Sequence, residues 1–322
     1  MPDYVPPQRL TVAEVTRRRR EAHSRRSSSS RWPQIAVALI LVAALTAGTA
    51  VATNAFGAGD KFERLVRRVA LAINPPPDRP TEATVDITPE PSASPTPTIS
   101  LAPGKSAPPP TPAPVRKPVD VRILSKPNAY FASEYLKDWC APAGVQMVLS
   151  ILGHADTSVA FQRTLQNRVG EWESYSDSHN GEWGPAAMVQ ALTAYGAPGY
   201  KIHAHPTRDA ALRDAAVALQ KTHAPVIIVA WRGAHTWVMT GFRANADPAV
   251  FNDAKVTGTY ILDPWYPRVS SIWGPSDPPG TFQDASEMVR NFLPWKRPEG
   301  KYPDRDGKFL IVVPTVAVSP AG

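Results

Sequence analysis

Three residues whose types could carry out thiol acyl-transfer chemistry occur in order along this chain of 322 residues. Cys140, the only cysteine, stands in Asp-Trp-Cys-Ala-Pro-Ala-Gly; His235 follows in Gly-Ala-His-Thr-Trp-Val, and Asp263 in Tyr-Ile-Leu-Asp-Pro-Trp. A thiolate attacks a carbonyl carbon, an imidazole carries the proton, and a carboxylate on the far ring nitrogen orients the imidazole. The types and their order therefore predict Cys140, His235 and Asp263 as catalytic residues.

Local sequence patterns predict the elements that would position these groups. Apolar residues keep helical spacing from about 141 to 152, which puts Cys140 at the front of a helix, where unpaired amides favour a thiolate. The β-branched runs 226–231 and 235–242 are joined by Arg-Gly-Ala, which predicts an antiparallel hairpin with His235 at the start of its second strand. We expect the thiol and the imidazole to meet across a cleft as an ionic couple.

The wider pattern is one of helices followed by strands. Further helices are predicted at 158–165, 185–195 and 209–221, and further strands at 259–262 and 309–313. This order is typical of an α+β fold in which N-terminal helices pack on a C-terminal antiparallel sheet.

The motifs resemble those of the papain-like cysteine peptidases, most closely the branch related to the bacteriocin-processing double-glycine peptidases. That pattern has a glutamine six residues before Cys-Gly-Pro-Ala, then a histidine segment ending in glycine, then Asp-Pro. The matching segments here begin at Cys140, His235 and Asp263, and the resemblance covers about residues 125–314. It implies a papain-like fold and a stand-alone peptidase, because the chain has no ATP-binding cassette.

Two positions depart from the family pattern. Glu134 stands where the family has the glutamine that donates to the oxyanion, and Ala141 replaces the glycine after the cysteine. An ionised carboxylate cannot donate a hydrogen bond and would repel the developing negative charge. Either burial holds Glu134 protonated, or the Cys140 amide acts with another donor, or the acyl-transfer activity is lost.

The function predicted from these residues is hydrolysis of an amide bond through a thioester, in a peptide, a protein or peptidoglycan, without a cofactor. Two alternatives stay open: an inactive papain-like module that binds peptide or cell wall, and a thioester acyltransferase. Trp139, Trp237 and Trp265 are candidates for the substrate cleft because they flank the three predicted catalytic residues.

A second pair of histidines, His203 and His205, occupies alternate positions of a possible strand and would share one face. No third ligand stands nearby in the sequence. We therefore expect surface histidines and no metal site.

The N-terminal region predicts a membrane anchor. Residues 1–34 hold eight arginines and three acidic residues, a net charge of +5 out of +7 for the whole chain. Because most of the positive charge lies in this tail, it does not indicate a nucleic-acid-binding surface on the rest of the chain. The 18 residues 35–52 are apolar, glycine or threonine, and the stretch extends to 56 as a predicted transmembrane helix. The flanking arginines predict a cytoplasmic N-terminus and an extracytoplasmic domain. A cleaved signal ending in Ala-Val-Ala, which would give a secreted protein, is the alternative.

Three further segments complete the predicted organisation of a bacterial cell-surface protein. Residues 57–73 have the spacing of a short amphipathic juxtamembrane helix. Residues 74–118 are predicted to be a disordered stalk, because 15 of the 44 residues from 75 onward are proline. Residues 119–322 form the papain-like domain.

Overall fold

The computed structural model describes residues 32–53, 82–87, 114–174, 176–178, 182–270, 274–296 and 302–317, with a few single residues between 13 and 73. Contacts divide the chain into two units, Met1–Asn74 and Pro75–Gly322, which are described separately. The predicted basic tail, 1–34, and the predicted juxtamembrane helix, 57–73, lie for the most part outside the described residues.

Helix α1, Trp32–Ala52, covers most of the predicted membrane span. Within the described part of the chain, no helix is both long and apolar enough to cross a bilayer. The membrane anchor is therefore not confirmed and stays a prediction.

The second unit combines helices with a large sheet, as expected for an α+β domain. Its described α-helices are α2 Cys140–Ile151, α3 Val159–Arg168, α4 Pro185–Ala194, α5 Arg208–Thr222 and α6 Ala285–Asn291. Its described strands are β1 Thr84–Asp86, β2 Val119–Arg122, β3 Tyr200–His205, β4 Val226–Ala230, β5 His235–Ala244, β6 Val256–Leu262, β7 Val269–Ser270, β8 Gly274–Pro275, β9 Thr281–Asp284 and β10 Phe309–Pro314.

The large sheet has the order β1-β3-β10-β4-β5-β6-β9, with β2 paired to β5, while β7 and β8 form a separate ribbon. Its pairs are antiparallel except β1 with β3. Ile227 and Val229 face a core shared with α2, α3 and α4, whereas Val226 and Ile228 face a core shared with α5 and α6. The prediction of helices packed on a mainly antiparallel sheet is correct, but helices cover both faces, and β1, β2 and β3 precede the predicted strands.

Strand β1 corrects the predicted stalk. Its three residues pair with β3, and Ile87 just beyond it donates its N–H to the carbonyl of Ala204 at 3.0 Å. The segment Thr-Val-Asp-Ile is a β-branched island within a proline-rich stretch, so it can pair with the exposed edge of the sheet. A disordered stalk over the whole of 74–118 is therefore wrong at 82–87.

The β4–β5 hairpin is confirmed, and it brings His235 to the start of β5 opposite Ala230. Its turn contains left-handed backbone at Trp231 and Arg232, with φ of 50° and 61°, and at Gly233, with φ of 89°. The turn therefore reverses the chain within a few residues, and the first residue after it is a functional candidate.

Candidate active site

Cys140 begins α2, so its backbone amide has no acceptor within the helix. Pro142 fits the first helical turn, where its missing N–H costs no hydrogen bond. The thiol is free and partly exposed, and its Sγ lies 4.0 Å from the carbonyl oxygen of Ala234. The sulfur thus faces the residue that directly precedes His235.

Gly144 allows α2 to approach β5 closely. A Cβ added at this position would lie 2.5 Å from Cγ2 of Thr236, shorter than real Cβ contacts. Because Thr236 follows His235 directly, the absence of a side chain at 144 sets how near the front of α2 comes to the imidazole.

His235 and Asp263 form a buried pair. Nε2 of His235 lies 2.7 Å from Oδ1 of Asp263, and the two side chains are 2% and 9% exposed. The same Oδ1 accepts the backbone N–H of Trp265 at 2.9 Å. Since Nε2 is engaged by the carboxylate, Nδ1 is the ring nitrogen that remains for the thiol.

Two indoles surround this imidazole. Trp231 stacks on His235 with ring centroids 4.0 Å apart and an interplanar angle of 18°, and Trp265 stands edge-on at 6.5 Å and 87°. Together they exclude water from the His235–Asp263 hydrogen bond, which strengthens it.

The electrostatics favour a protonated imidazole. Burial alone would lower the pKa of His235, but the charge and hydrogen bond of Asp263, with a smaller contribution from Cys140, raise that pKa above its ordinary value. A ring nitrogen of His235 lies within 4.8 Å of the Cys140 sulfur. The arrangement therefore favours an imidazolium beside the Cys140 sulfur.

Glu134 reaches the same place from the loop before α2. One of its carboxyl oxygens lies within 4.8 Å of the Cys140 sulfur and of a ring nitrogen of His235. Its Oε1 accepts from Nη1 of Arg268 at 2.8 Å, and its side chain is fully buried. Burial raises the pKa of Glu134 to about 7; the charges of His235 and Arg268 lower it, and the charge of Asp263 raises it.

A cavity of about 260 Å³ adjoins the histidine–aspartate pair. Asp263, Trp231, Trp237 and Trp265 line it, together with β8, the two polar residues that follow β8, and polar residues of β9 and α6. Two of the three predicted cleft tryptophans, Trp237 and Trp265, thus border one cavity. Trp139 is outside the described lining and packs against Tyr135 with ring centroids 5.8 Å apart.

Two contributors were not predicted from the sequence. Trp231 lies in the hairpin turn four residues before His235, so its place beside the imidazole could have been inferred from the predicted hairpin. Arg268 reaches Glu134 across 134 positions of sequence, a contact with no local signal.

His203 and His205 differ from the prediction of surface histidines. Both contact Oδ2 of Asp214 on α5, through Nδ1 at 2.6 Å and Nε2 at 2.9 Å, and the His205 side chain is only 2% exposed. The expectation failed because α5 covers this face of β3 and supplies a third ligand-type residue. Both distances are those of hydrogen bonds, so the three residues form a clamp between α5 and β3.

The charge within this clamp lies on the aspartate. Burial favours the neutral acid, but hydrogen bonds from His203 and His205 outweigh it and lower the pKa of Asp214. The cluster thus has a structural role that its hydrogen bonds explain.

A thiol at a helix N-terminus, beside an imidazole held by a carboxylate on a sheet, defines the class of papain-like cysteine peptidases. Comparison with known families supports the same class: residues 119–277 match the model of the Peptidase_C39 like family. These findings support a C39-like, papain-like cysteine peptidase for the matched residues.

Two other comparisons add little. Among solved structures, a crystal structure of a double glycine motif protease from an AMS/PCAT transporter in complex with the leader peptide matches at 18% identity and a TM-score of 0.29. The match covers 57% of this chain and 91% of that chain. At this TM-score the likeness does not bear on function. A search of curated proteins found no match.

Proposed function

We propose that Cys140, His235 and Asp263 form a catalytic triad that hydrolyses an amide bond through a thioester on Cys140. The observation that supports this most directly is the buried imidazole, which Asp263 holds through Nε2 at 2.7 Å while the thiol lies within 4.8 Å of the ring. A histidine in the core for packing alone would need neither an ionised partner nor a neighbouring sulfur.

The reaction runs in two halves. The Cys140 thiolate attacks the carbonyl carbon, a C–S bond forms, and the carbonyl electron pair moves onto oxygen. When the C–N bond breaks, the imidazolium of His235 gives its proton to the leaving amine. His235 then takes a proton from water as the water attacks the thioester, and the C–S bond breaks to release the acid and the thiolate.

The proposed substrate is a peptide or a protein segment. The 260 Å³ cavity beside Asp263 is lined by Trp237 and Trp265 together with polar side chains such as Gln283 and Asn291. A lining of aromatic and polar side chains suits the apolar and polar groups of a bound peptide. A peptidoglycan stem peptide offers the same chemistry and is an alternative substrate.

A non-catalytic binding module is the second candidate, and Glu134 is the observation that favours it. An ionised carboxylate beside the sulfur would oppose both the thiolate and the oxyanion. The two candidates differ in the reactivity of one thiol.

Alkylation of Cys140 by iodoacetamide tests the proposal. A peptidase site should react at neutral pH at least tenfold faster than a simple thiol, and His235→Ala should abolish the excess. His154→Ala, at the far end of α2, is the matched control and should leave the rate unchanged. A slow rate that is insensitive to His235→Ala would exclude catalysis, whereas peptide cleavage that Cys140→Ala removes would complete the case for it.

The location is a separate proposal, supported by the sequence alone. The arginine-rich tail before an apolar segment favours an anchored domain outside the cytoplasm. Because the chain has a single cysteine, a membrane-impermeant maleimide applied to intact cells should label it. Labelling only after lysis would contradict an external domain, and a labelled product in the medium would favour the cleaved signal.

A further inference from the structure

Glu134 is a carboxyl group at the place where an oxyanion donor is needed. A carboxylate only accepts hydrogen bonds, whereas a neutral carboxylic acid also donates one. The groups around Glu134 determine whether its ionised or its neutral form is the more stable.

The backbone around Glu134 is held against the loop that carries Asp263. Glu134 donates its N–H to the carbonyl of Pro264 at 2.9 Å, and Ser133 donates its hydroxyl to the carbonyl of Tyr266 at 2.7 Å. Nη2 of Arg268 donates to the carbonyl of Glu134 at 2.9 Å. The position of this side chain relative to the triad is thus set by the same loop that orients His235.

The two carboxyl oxygens of Glu134 have different surroundings. Oε1 accepts from Arg268, and the carbonyl oxygen of a neutral acid would accept this bond equally well. Oε2 is buried and has no hydrogen-bond partner within the described part of the chain. Burying a carboxylate oxygen without a hydrogen-bond donor costs free energy. A hydroxyl at Oε2 can instead donate to an acceptor that a bound substrate supplies.

We propose that Glu134 is a catalytic residue in its neutral form, whose Oε2 hydroxyl donates a hydrogen bond to the oxyanion formed when Cys140 attacks the substrate. The Cys140 amide, which begins α2 and has no acceptor within that helix, is the second donor. Glu134 keeps its proton throughout, so no bond other than those of the acyl transfer forms or breaks. This inference rests on the proposed triad and adds a donor to it.

The charges that face Glu134 define the pH range of this donor. They are the guanidinium of Arg268, the imidazole of His235, the carboxylate of Asp263 and the Cys140 sulfur. With its pKa at about 7, Glu134 is mostly neutral below that pH and mostly ionised above it. Oxyanion stabilisation is therefore present in mild acid and falls about tenfold for each pH unit above 7.

Two probes separate the oxyanion from the thiolate. Alkylation by iodoacetamide needs the thiolate alone, whereas acylation by p-nitrophenyl acetate also forms an oxyanion. The measurement is the ratio of acylation to alkylation rates from pH 5 to 9, corrected with Cys140→Ala, for the full chain. In the natural protein the ratio should fall above pH 7, and in Glu134→Gln, a permanent donor of the same shape, it should stay flat. At pH 9 the variant's ratio should then be about 100-fold higher.

Two further variants protect this test from indirect effects. Arg268→Gln removes a charge that lowers the pKa of Glu134, so the falling limb should move to higher pH. Glu171→Gln is the matched control, since Glu171 pairs with Arg168 at 2.8 Å on the surface, and it should leave the profile unchanged.

The outcomes distinguish the two proposals. If Cys140 is alkylated slowly and His235→Ala does not change that rate, the proposed triad is wrong. If the thiol is reactive but the acylation-to-alkylation ratio depends on pH in the same way in the natural protein and in Glu134→Gln, the triad stands and the proposed role of Glu134 is wrong. A falling limb that Arg268→Gln leaves in place or moves to lower pH would likewise overturn it, because loss of this cation raises the pKa of Glu134.

Discussion

Two buried carboxyl groups, Asp263 and Glu134, stand beside the imidazole of His235, and their partners assign them different roles. Asp263 accepts two hydrogen bonds on one oxygen, from the ring of His235 and the amide of Trp265. Glu134 shares one oxygen with Arg268, and its other oxygen has no hydrogen-bond partner among the residues that the structure describes. Glu134 can thus act as a neutral acid while Asp263 acts as a hydrogen-bond acceptor in the same site, because the surroundings of the two carboxyl groups differ.

The charge of Asp263 has a consequence that can be measured. Asp263→Asn can keep an acceptor for His235 but removes the negative charge that raises the pKa of the ring. The imidazolium is then lost at lower pH and stabilises the thiolate less, so the pH above which iodoacetamide alkylates Cys140 rapidly should rise, with at least a tenfold loss of rate near pH 7 and little change at pH 10.

Asp277→Asn is the control for this change. Asp277 lines the same cavity but accepts from Gln283 at 2.7 Å, so its pH profile should match the natural protein. An unaltered pH profile in Asp263→Asn would show that hydrogen bonding, and not charge, is what the imidazole needs.

Single residues differed in how far the sequence could predict them. Cys140, His235 and Asp263 were identifiable because each lies in a short motif at an element boundary. Arg268 and Asp214 were not, because their partners come from distant elements that only the folded chain brings together.

At the scale of elements, the β4–β5 hairpin was predictable because its turn chemistry is local. The two-sided burial of β4 was also encoded, since Val-Ile-Ile-Val-Ala is apolar on both faces, as in a strand covered by helices on each side. Strand β3 was indicated only as a possible strand around His203 and His205, because its exposed Lys201 and partly exposed His203 interrupt the apolar pattern.

The contact between α2 and β5 supports a prediction at this scale. Gly144→Ala would place a Cβ 2.5 Å from Cγ2 of Thr236, so the front of α2 must move away from β5. A displacement near 1 Å can cost about 100-fold in rate, and we expect Cys140 alkylation and peptide cleavage to fall by up to that factor.

Thr236→Ser supplies the matched rescue, since serine lacks the Cγ2 atom that clashes. The double variant Gly144→Ala with Thr236→Ser should recover most of the lost rate, while Thr236→Ser alone should change it little. If the double variant is as slow as Gly144→Ala, the close approach of helix and strand is not what positions the thiol.

At the scale of the whole molecule, the globular unit begins earlier than composition indicates. Strand β1 extends the sheet beyond β3. Glu82, just before the strand, forms an ion pair with Lys201, and Asp86, its last residue, forms one with Lys308, both at 2.6 Å. Composition predicted a boundary at 119 because proline dominates the segment before it, and a three-residue strand is too short to alter that average. Pairing with an open sheet edge is a tertiary effect.

The boundary can be tested with two fragments of the chain, 82–317 and 119–317. The longer fragment keeps β1 and should have the higher free energy of unfolding, by about 1–2 kcal/mol, since a few backbone hydrogen bonds are worth about 1 kcal/mol each and exposed ion pairs add little. Urea unfolding of both fragments measures the difference.

Val85→Pro in the longer fragment is the control. Residues two apart in a strand direct their N–H groups to the same neighbouring strand, so Val85, like Ile87, directs its N–H toward β3. The proline should reduce the stability to that of 119–317, whereas Val85→Thr should not. Equal stability of both fragments would place the boundary back at 119.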